Sequence, residues 1–271
     1  MIIIDALICP VCGDKLIKKG KSFFCENGHC FDIAKEGYLN LLTGSKSGSG
    51  DSPEMAKARK RFLEKGYYSF LAEKMSCFLP DDGVVCDACC GEGYYTNYFA
   101  RKRADLSFYG FDLSKKMTAL AAKSGRLNKA NPPFYFVSNI SSVPLASNSV
   151  NSIMHICAPV NAGEFSRMLS GNGLFISAMP GKEHLIELKE RIYSSPRKND
   201  PDKRNIDFFR LKDIVTAEKK IKIDNNEDII DLFSMTPYRY KTSKQDAEKL
   251  KYLDSIEVTA QFVIRIFEKE K

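Results

Sequence analysis

The chain has 271 residues, of which 44% are hydrophobic and 28% charged. This composition is ordinary for a globular protein, and no apolar run is long enough to span a membrane. The net charge of +7 is compatible with a polyanionic partner, although an excess of lysine also serves solubility. Met1–Asp5 is too short and too acidic for a signal peptide, so we expect a cytoplasmic protein.

Four metal-ligating side chains lie near the N-terminus, spaced as two pairs: Cys9, Cys12, Cys25 and His29. Thiolate and imidazole ligands suit zinc, and Cys-x2-Cys lets two sulfurs converge from one tight turn. Such a set leaves no coordination position open, so the metal would be structural. Cys30 is an alternative fourth ligand; we favour His29 because it leaves a tighter second turn. Buried, metal-free cysteines are the other interpretation, and the paired spacing argues against it.

We expect three segments along the chain. Residues 1–43 form a zinc-binding module with a short strand at Lys21–Phe24, too small to fold without metal. Residues 44–53 form a flexible linker rich in glycine and serine. Residues 54–271 form the second domain.

A helix is predicted from Glu54 to about Glu64, capped by Asp51 or Ser52 and with Pro53 at its first position. It carries four basic residues that either contact nucleic-acid phosphates or form a solvated face: Lys57, Arg59, Lys60 and Arg61.

From about residue 84, buried strand patterns alternate with helical stretches. The five strand patterns are Val84–Ala88, Leu106–Phe111, Phe134–Val137, Val150–Ile156 and, after a turn at Gly171–Gly173, Gly173–Met179. This rhythm predicts an α/β fold with a doubly wound parallel sheet. Ile256–Phe267 alternates without a following helix, which predicts a final antiparallel strand paired with Lys220–Ile223.

A glycine-containing loop follows the first of these strands. It runs from Asp87 through Gly91, Glu92 and Gly93, and opens a helix at Tyr94–Thr96. Such a loop lets the backbone approach a ligand at the carboxyl edge of the sheet.

Two polar residues follow the next two strands. Asp112 ends the second strand, roughly 20 residues on, where it can accept both ribose hydroxyls of a nucleotide. Asn139 follows the third strand and can hydrogen-bond an adenine edge.

The loop fits either a dinucleotide or S-adenosylmethionine. A dinucleotide places its pyrophosphate at the helix N-terminus, where Glu92 would repel it. A zwitterionic ligand such as S-adenosylmethionine therefore suits the loop better.

Several motifs resemble the bacterial 23S rRNA guanine-N1 methyltransferases of the RlmA or RrmA type, a family that includes tylosin-resistance enzymes. The resemblance runs nearly end to end, and the motifs are Cys9-Pro-x-Cys12, Cys25-x3-His29, Phe31–Leu42, Gly91–Thr96 and Pro180-Gly181-x2-His184-Leu185.

The resemblance implies a class I (Rossmann-like) methyltransferase domain, an RNA-recognition role for the zinc module, and a homodimer whose cleft holds an rRNA hairpin. The cofactors would be S-adenosylmethionine and Zn2+. Antibiotic resistance is associated with the family, and the sequence alone does not decide whether macrolide resistance follows. Cofactor contacts carried over are Tyr68, Gly91, Glu92 and His184, and the zinc ligands carried over include His29. With the residues of the loop and strand ends, the candidate cofactor set is Tyr68, Asp87, Gly91, Glu92, Gly93, Asp112, Asn139 and His184.

Two positions depart from the family pattern. Cys89 stands where the family usually has glycine, so its Cβ strains the turn or crowds the methionine end of the cofactor. His155 stands where the family often has arginine.

The implied reaction moves a methyl group to N1 of a guanine that has left its stack. The base is expected at Cys157–Val160, where class I methyltransferases place their target. N1 carries a proton, and His155 is a candidate base for its removal. If no side chain acts as a base, positioning of the guanine would supply most of the rate.

Two other functions remain open from the sequence. One is methylation of a small molecule or protein, and the other is zinc-dependent rRNA binding without catalysis. A Rossmann oxidoreductase is the weakest alternative, because Glu92 and the missing third glycine argue against it.

Overall fold

The computed structural model describes residues 6–44, 52–200 and 205–270. Its N-terminal part contains a three-stranded antiparallel sheet of β1 (Ile17–Lys19), β2 (Ser22–Phe24) and β3 (Cys30–Asp32). The strand predicted at Lys21–Phe24 is therefore present as β2.

A central sheet of eight strands forms the rest of the framework, in the order β10-β11-β9-β8-β5-β6-β7-β4. The strands are β4 (Tyr38–Asn40), β5 (Gly83–Ala88), β6 (Leu106–Asp112), β7 (Phe134–Val137), β8 (Val150–Ile156), β9 (Leu169–Pro180), β10 (Phe209–Ile223) and β11 (Ile256–Lys269). Strands β4 to β9 run parallel, and β11 is antiparallel to both β9 and β10. The predicted fold class and the antiparallel final strand are confirmed.

The strand order reverses between β5 and β8, because the chain builds β5, β6 and β7 outward on one side before β8 pairs with β5 on the other. In open α/β sheets, ligands bind outside the carboxyl ends of the strands at such a reversal. The topology therefore predicts a ligand site at the loops that follow β5 and β8.

Helices lie in the connections between the strands and cover the sheet. They are α1 (Pro53–Glu64), α2 (Ser69–Ser76), α3 (Tyr94–Lys102), α4 (Lys115–Gly125), α5 (Ala162–Met168), α6 (Ile186–Ile192), α7 (Asn226–Ser234), α8 (Tyr238–Lys241), α9 (Lys244–Glu248) and a 3-10 turn at Lys249–Tyr252. Among the residues described, no helix combines the length and apolar character needed to cross a bilayer.

The start of α1 agrees with the sequence prediction. Ser52 is the N-cap, and its hydroxyl accepts a hydrogen bond from the Met55 N–H at 3.2 Å. Pro53 takes the first helical position, where its missing N–H costs nothing. The alternative cap Asp51 and residues 45–50 of the predicted linker lie outside the described residues.

The turn predicted at Gly171–Gly173 is wrong. Those residues lie inside β9, which begins at Leu169. The β8–β9 ladder is irregular there, because Val150 pairs with Leu169 whereas Ser152 pairs with Leu174. The glycines accommodate extra residues within the strand instead of ending it.

The N-terminal module packs directly on the central sheet. Its last strand, β4, is the edge strand beside β7, which the sequence did not indicate. The Ile8 N–H donates to the Pro144 carbonyl at 3.0 Å, and the rings of Phe23 and Phe134 pack with centroids 5.7 Å apart. One hydrophobic core thus continues from the module into the sheet.

Candidate active site and metal centre

The four predicted zinc ligands converge in the folded chain. Their ligand atoms all lie within 4.8 Å of one another. The Cys12 and Cys25 sulfurs are 3.6 Å apart, and the His29 Nδ1 lies 3.6 Å from the Cys9 sulfur and 3.3 Å from the Cys25 sulfur. A tetrahedron with zinc–sulfur bonds of about 2.3 Å has edges of about 3.8 Å, so these spacings fit a zinc ion.

Two glycine turns present the ligands. The Gly13 N–H donates to the Cys9 carbonyl at 2.9 Å, and the Gly28 N–H donates to the Cys25 carbonyl at 3.1 Å. Both glycines have φ near +80° (82° and 80°), a conformation that disfavours other residues. Cys30 instead begins β3 and does not belong to the cluster found among the described residues.

The loop after β5 forms a tight turn that begins α3. Cys89, Gly91 and Gly93 all have positive φ, at 58°, 58° and 78°. A Cβ at Gly93 would lie 2.7 Å from the Ala121 Cβ, so only glycine fits there. Within the described ranges, a Cβ at Gly91 would meet only the Arg59 Nη1 within 4 Å, at 3.7 Å, so this side of the turn has room for a ligand.

Cys89, which stands where the family usually has glycine, adopts a left-handed backbone conformation with φ of 58°. This agrees with the strain expected from the sequence. For a residue with a Cβ this conformation costs roughly 1–2 kcal/mol. Burial and the nearby carboxylates of Asp112 and Asp87 raise the pKa of its thiol to about 12, so the thiol is neutral at physiological pH. Cys89 is therefore a source of local strain and lacks the character of a nucleophile.

Asp112 ties the glycine turn to the end of β6. Its Oδ2 accepts a hydrogen bond from the Gly91 N–H at 3.1 Å, and its Oδ1 accepts one from the Ser114 N–H at 2.8 Å. Each carboxylate oxygen has a second lone pair, so the same group can also accept from ribose hydroxyls.

Asp87 lies beneath the turn and is almost fully buried. Its carboxylate accepts a hydrogen bond from the Thr96 hydroxyl at 2.5 Å, which links the end of β5 to the first turn of α3. Burial, with smaller contributions from Glu92 and Asp112, raises the pKa of Asp87 to about 7. Asp87 therefore supports the turn from inside.

Glu92 is buried at the start of α3, with 5% of its side chain exposed. Its Oε2 lies 3.9 Å from the Nη1 of Arg59, which reaches the turn from α1. The pair joins residues far apart in sequence, and no local pattern predicted it.

Tyr68 and His184 meet in a cluster of aromatic rings. The centroids of their rings are 6.1 Å apart, and both rings contact Phe262 of β11. The Tyr68 hydroxyl is buried and has no hydrogen-bond partner among the described residues. A buried hydroxyl without a partner is costly, which points to a ligand group that would satisfy it.

His184 is held as a neutral imidazole. Burial, reinforced by the charge of Lys189, lowers its pKa to about 3. The Gln261 N–H donates to its Nδ1 at 3.1 Å, which leaves the ring proton on Nε2. The Nε2–H is then a donor whose position is fixed by the β11 backbone.

Asn139 is exposed after β7, and its Oδ1 accepts a hydrogen bond from the Ser141 N–H at 3.0 Å. The side-chain oxygen of Asn139 therefore stabilises the turn, and its amide N–H groups can donate to a ligand.

His155 is buried near the end of β8. Its Nδ1 lies 2.9 Å from the Ser177 hydroxyl oxygen, and its Nε2 lies 2.5 Å from the Ala158 carbonyl oxygen. Burial lowers its pKa. The interpretation of His155 as a general base is not supported, because both nitrogens already have internal partners.

Most basic residues of α1 have partners within the chain. Arg61 binds the Asp231 carboxylate of α7 with both ends of its guanidinium, and Lys60 donates to the Ser124 hydroxyl at 2.9 Å. Lys57 is exposed. Arg61 and Lys60 therefore help to dock α1, while Arg61 remains 51% exposed and Lys57 is exposed, so contact of this face with nucleic-acid phosphates stays a prediction.

Two parts of the chain match known families. Residues 7–48 match the family described as RlmA, N-terminal, a zinc ribbon, and residues 85–170 match a methyltransferase domain. The first match covers the metal cluster, and the second covers the glycine turn and the strands around it.

Three curated relatives agree with these matches. YxjB of Bacillus subtilis (strain 168), a candidate 23S rRNA (guanine-N1)-methyltransferase, is 27% identical over 278 residues, which cover 95% of both chains. A candidate enzyme of the same name from Micromonospora griseorubida is 31% identical over 69% of both chains. The 23S rRNA (guanine(748)-N1)-methyltransferase of Streptomyces fradiae is 28% identical over 70% of this chain and 69% of its own.

Zinc ribbon, glycine turn and methyltransferase sheet are thus joined in one chain, which is similar to YxjB over 95% of its length. The protein belongs to the 23S rRNA (guanine-N1)-methyltransferase family with an RlmA-type N-terminal zinc ribbon.

Proposed function

We propose that the protein transfers a methyl group from S-adenosylmethionine to N1 of a guanine in a 23S rRNA hairpin. The observation that carries this proposal is the union of an RlmA-type zinc ribbon with a methyltransferase domain in one chain. The names of the curated relatives support the same substrate and the same atom.

The cofactor would lie across the carboxyl ends of β5 and β6. Asp112 is placed to accept from its ribose hydroxyls, and the open outer side of Gly91 allows close approach of the backbone. Glu92 suits the ammonium of its methionine end, and the unpartnered Tyr68 hydroxyl offers a further hydrogen bond. When bound, S-adenosylmethionine supplies an electrophilic methyl group.

Asp87, Gly93, Asn139 and His184 complete the proposed cofactor set in supporting roles. Asp87 holds the start of α3, and Gly93 lets that helix begin against α4. His184 packs against Tyr68 and is itself fixed by Gln261. Asn139 follows β7 at the rim of the same sheet edge.

The target guanine would enter beside Cys157–Val160, where β8 ends. Cys157 has φ of 52° and its side chain reaches solvent, and Val160 is 42% exposed. The His155 nitrogens bind Ser177 and Ala158, so His155 is not available to accept the N1 proton. Water would take that proton, and positioning of the guanine against the methyl group would supply most of the rate of methyl transfer.

The zinc ribbon would contribute RNA contacts as a rigid module. Cys9, Cys12, Cys25 and His29 would hold the metal with no open position, so the metal itself performs no chemistry. The ribbon shares a core with the sheet, which fixes its orientation relative to the methyltransferase domain. We also propose, from the family resemblance, that two copies form a homodimer around the rRNA hairpin.

The test is methyl transfer from labelled cofactor to purified 23S rRNA, to bulk protein and to a small-molecule extract. We expect label in 23S rRNA, and a reverse-transcriptase stop at one guanine of the domain II hairpin, since N1 methylation blocks base pairing. Label confined to protein or small molecules, or an rRNA stop elsewhere, would contradict the proposal.

A further inference from the structure

Arg59 and Glu92 place opposite charges on the two sides of the glycine turn. The Arg59 Nη1 and the Glu92 Oε2 are 3.9 Å apart, wider than a direct hydrogen bond. The Arg59 side chain is 25% exposed and that of Glu92 5% exposed, so the pair has one buried and one accessible member. The guanidinium also lies over Gly91, 3.7 Å from where a Cβ would be.

Contacts made by Arg59 and by its neighbours in the chain hold it in this position. Its Nη2 donates to the Met235 carbonyl at 3.4 Å. The helix that carries it is docked on α7 by two further ion pairs, Arg61 with Asp231 and Lys65 with Asp228. The guanidinium is thus presented by a docked helix, which reduces the entropy lost when it binds a ligand.

The charge of Arg59 also acts at the end of β8. Cys157 directly follows that strand. Desolvation raises the pKa of the Cys157 thiol to about 11, and the positive charge of Arg59 opposes the rise. The turn after β5, beside which the guanidinium lies, and the end of β8 flank the reversal of strand order.

A zwitterion with adjacent ammonium and carboxylate groups matches this pair of charges. A carboxylate pairs well with the planar guanidinium of arginine, and an ammonium pairs with a buried carboxylate. The methionine end of S-adenosylmethionine is such a zwitterion, whereas the rest of the cofactor carries no carboxylate.

We propose that Arg59 binds the α-carboxylate of the cofactor while Glu92 binds its α-ammonium, which makes Arg59 a binding residue of this chain. The inference rests on the proposed function, because it assumes that S-adenosylmethionine is the ligand of the crevice.

The test compares two ligands by calorimetry: S-adenosylmethionine and its decarboxylated analogue, which keeps the ammonium but lacks the carboxylate. Arg59→Met is expected to weaken S-adenosylmethionine binding about 10- to 100-fold. The same variant is expected to bind the decarboxylated analogue at least as tightly as the wild type does, because a repelling positive charge has been removed.

Lys57→Met is the matched control, since Lys57 lies on the same helix two residues earlier and is exposed. We expect it to leave both affinities unchanged, and we expect Arg59→Lys to recover part of the lost affinity.

Equal weakening of both ligands by Arg59→Met would overturn the inference and assign Arg59 a purely structural role beside Glu92. Failure of the wild type to bind S-adenosylmethionine would instead overturn the proposed function on which the inference rests.

Discussion

The Tyr68 hydroxyl is buried beside the ring of His184, 6.1 Å between ring centroids, with no hydrogen-bond partner among the described residues. Burial raises the pKa of Tyr68 well above its usual value, so the hydroxyl keeps its proton. The hydroxyl can therefore donate a hydrogen bond to a ligand, and we propose that this ligand is the cofactor.

Tyr68→Phe separates stability from binding. Removing an unsatisfied buried hydroxyl should leave the free energy of unfolding of the free protein unchanged or raise it by about 1 kcal/mol. Cofactor affinity should fall about 3- to 10-fold, since one hydrogen bond is lost. Urea unfolding and calorimetric titration measure the two quantities. A less stable free protein with normal cofactor affinity would show that the hydroxyl has an internal role instead.

Cys89→Gly should stabilise the protein. Glycine would relieve the left-handed strain at Cys89, which costs roughly 1–2 kcal/mol. Glycine also makes the unfolded chain more flexible, which costs roughly 0.4–1 kcal/mol of stability. We therefore expect the free energy of unfolding to rise by about 0.5–1 kcal/mol. The matched control is Cys90→Gly, because Cys90 is not among the residues with positive φ and should lose stability. Denaturant unfolding measures both, and destabilisation by Cys89→Gly would contradict the strain argument.

Asp87 should make stability depend on pH. Its pKa is about 7 in the folded protein, against an ordinary value of 3.8. Between these values the folded state binds more protons than the unfolded state, so the contribution of Asp87 to stability falls as pH rises from about 4 to 7 and is flat above. The slope is on the order of 1.4 kcal/mol per pH unit.

Asp87→Asn keeps an oxygen that can accept from Thr96 but cannot ionise. Its stability advantage over the wild type should therefore grow from pH 5 to pH 7 in urea unfolding. An advantage that is constant across this range would mean that Asp87 titrates normally.

His29→Ala should release zinc, and Cys30→Ser should not, because His29 lies in the ligand cluster and Cys30 begins β3. Zinc content measured by plasma mass spectrometry distinguishes the two. We also expect the His29 variant to lose thermal stability, since the small module depends on its metal. Release of zinc by Cys30→Ser but not by His29→Ala would show that Cys30 is the fourth zinc ligand instead of His29.

The parts of the site that the sequence predicts are those formed by neighbours in the chain. Zinc ligands sit on two local turns, and the glycine turn follows its strand directly, so spacing alone reveals them. The pairs Arg59 with Glu92 and Tyr68 with His184 are joined only by the packing of α1, α2 and β11 around the sheet. No local pattern carries that information.

The same reasoning explains one strand that the sequence did not indicate and one turn prediction that was wrong. Strand β4 has three residues, too few for a periodic signal, and its place beside β7 depends on long-range pairing. The glycines at 171 and 173 look like a turn because turns and strand irregularities require the same backbone freedom.

The most direct test of the central claim is the amount of 1-methylguanosine in nucleosides from 23S rRNA, measured by mass spectrometry in a strain that lacks the gene. We predict that purified protein with S-adenosylmethionine restores about one 1-methylguanosine per 23S rRNA, and that the zinc-free protein does not. Normal 1-methylguanosine in the deletion strain, or a different methylated nucleoside after treatment, would contradict the account.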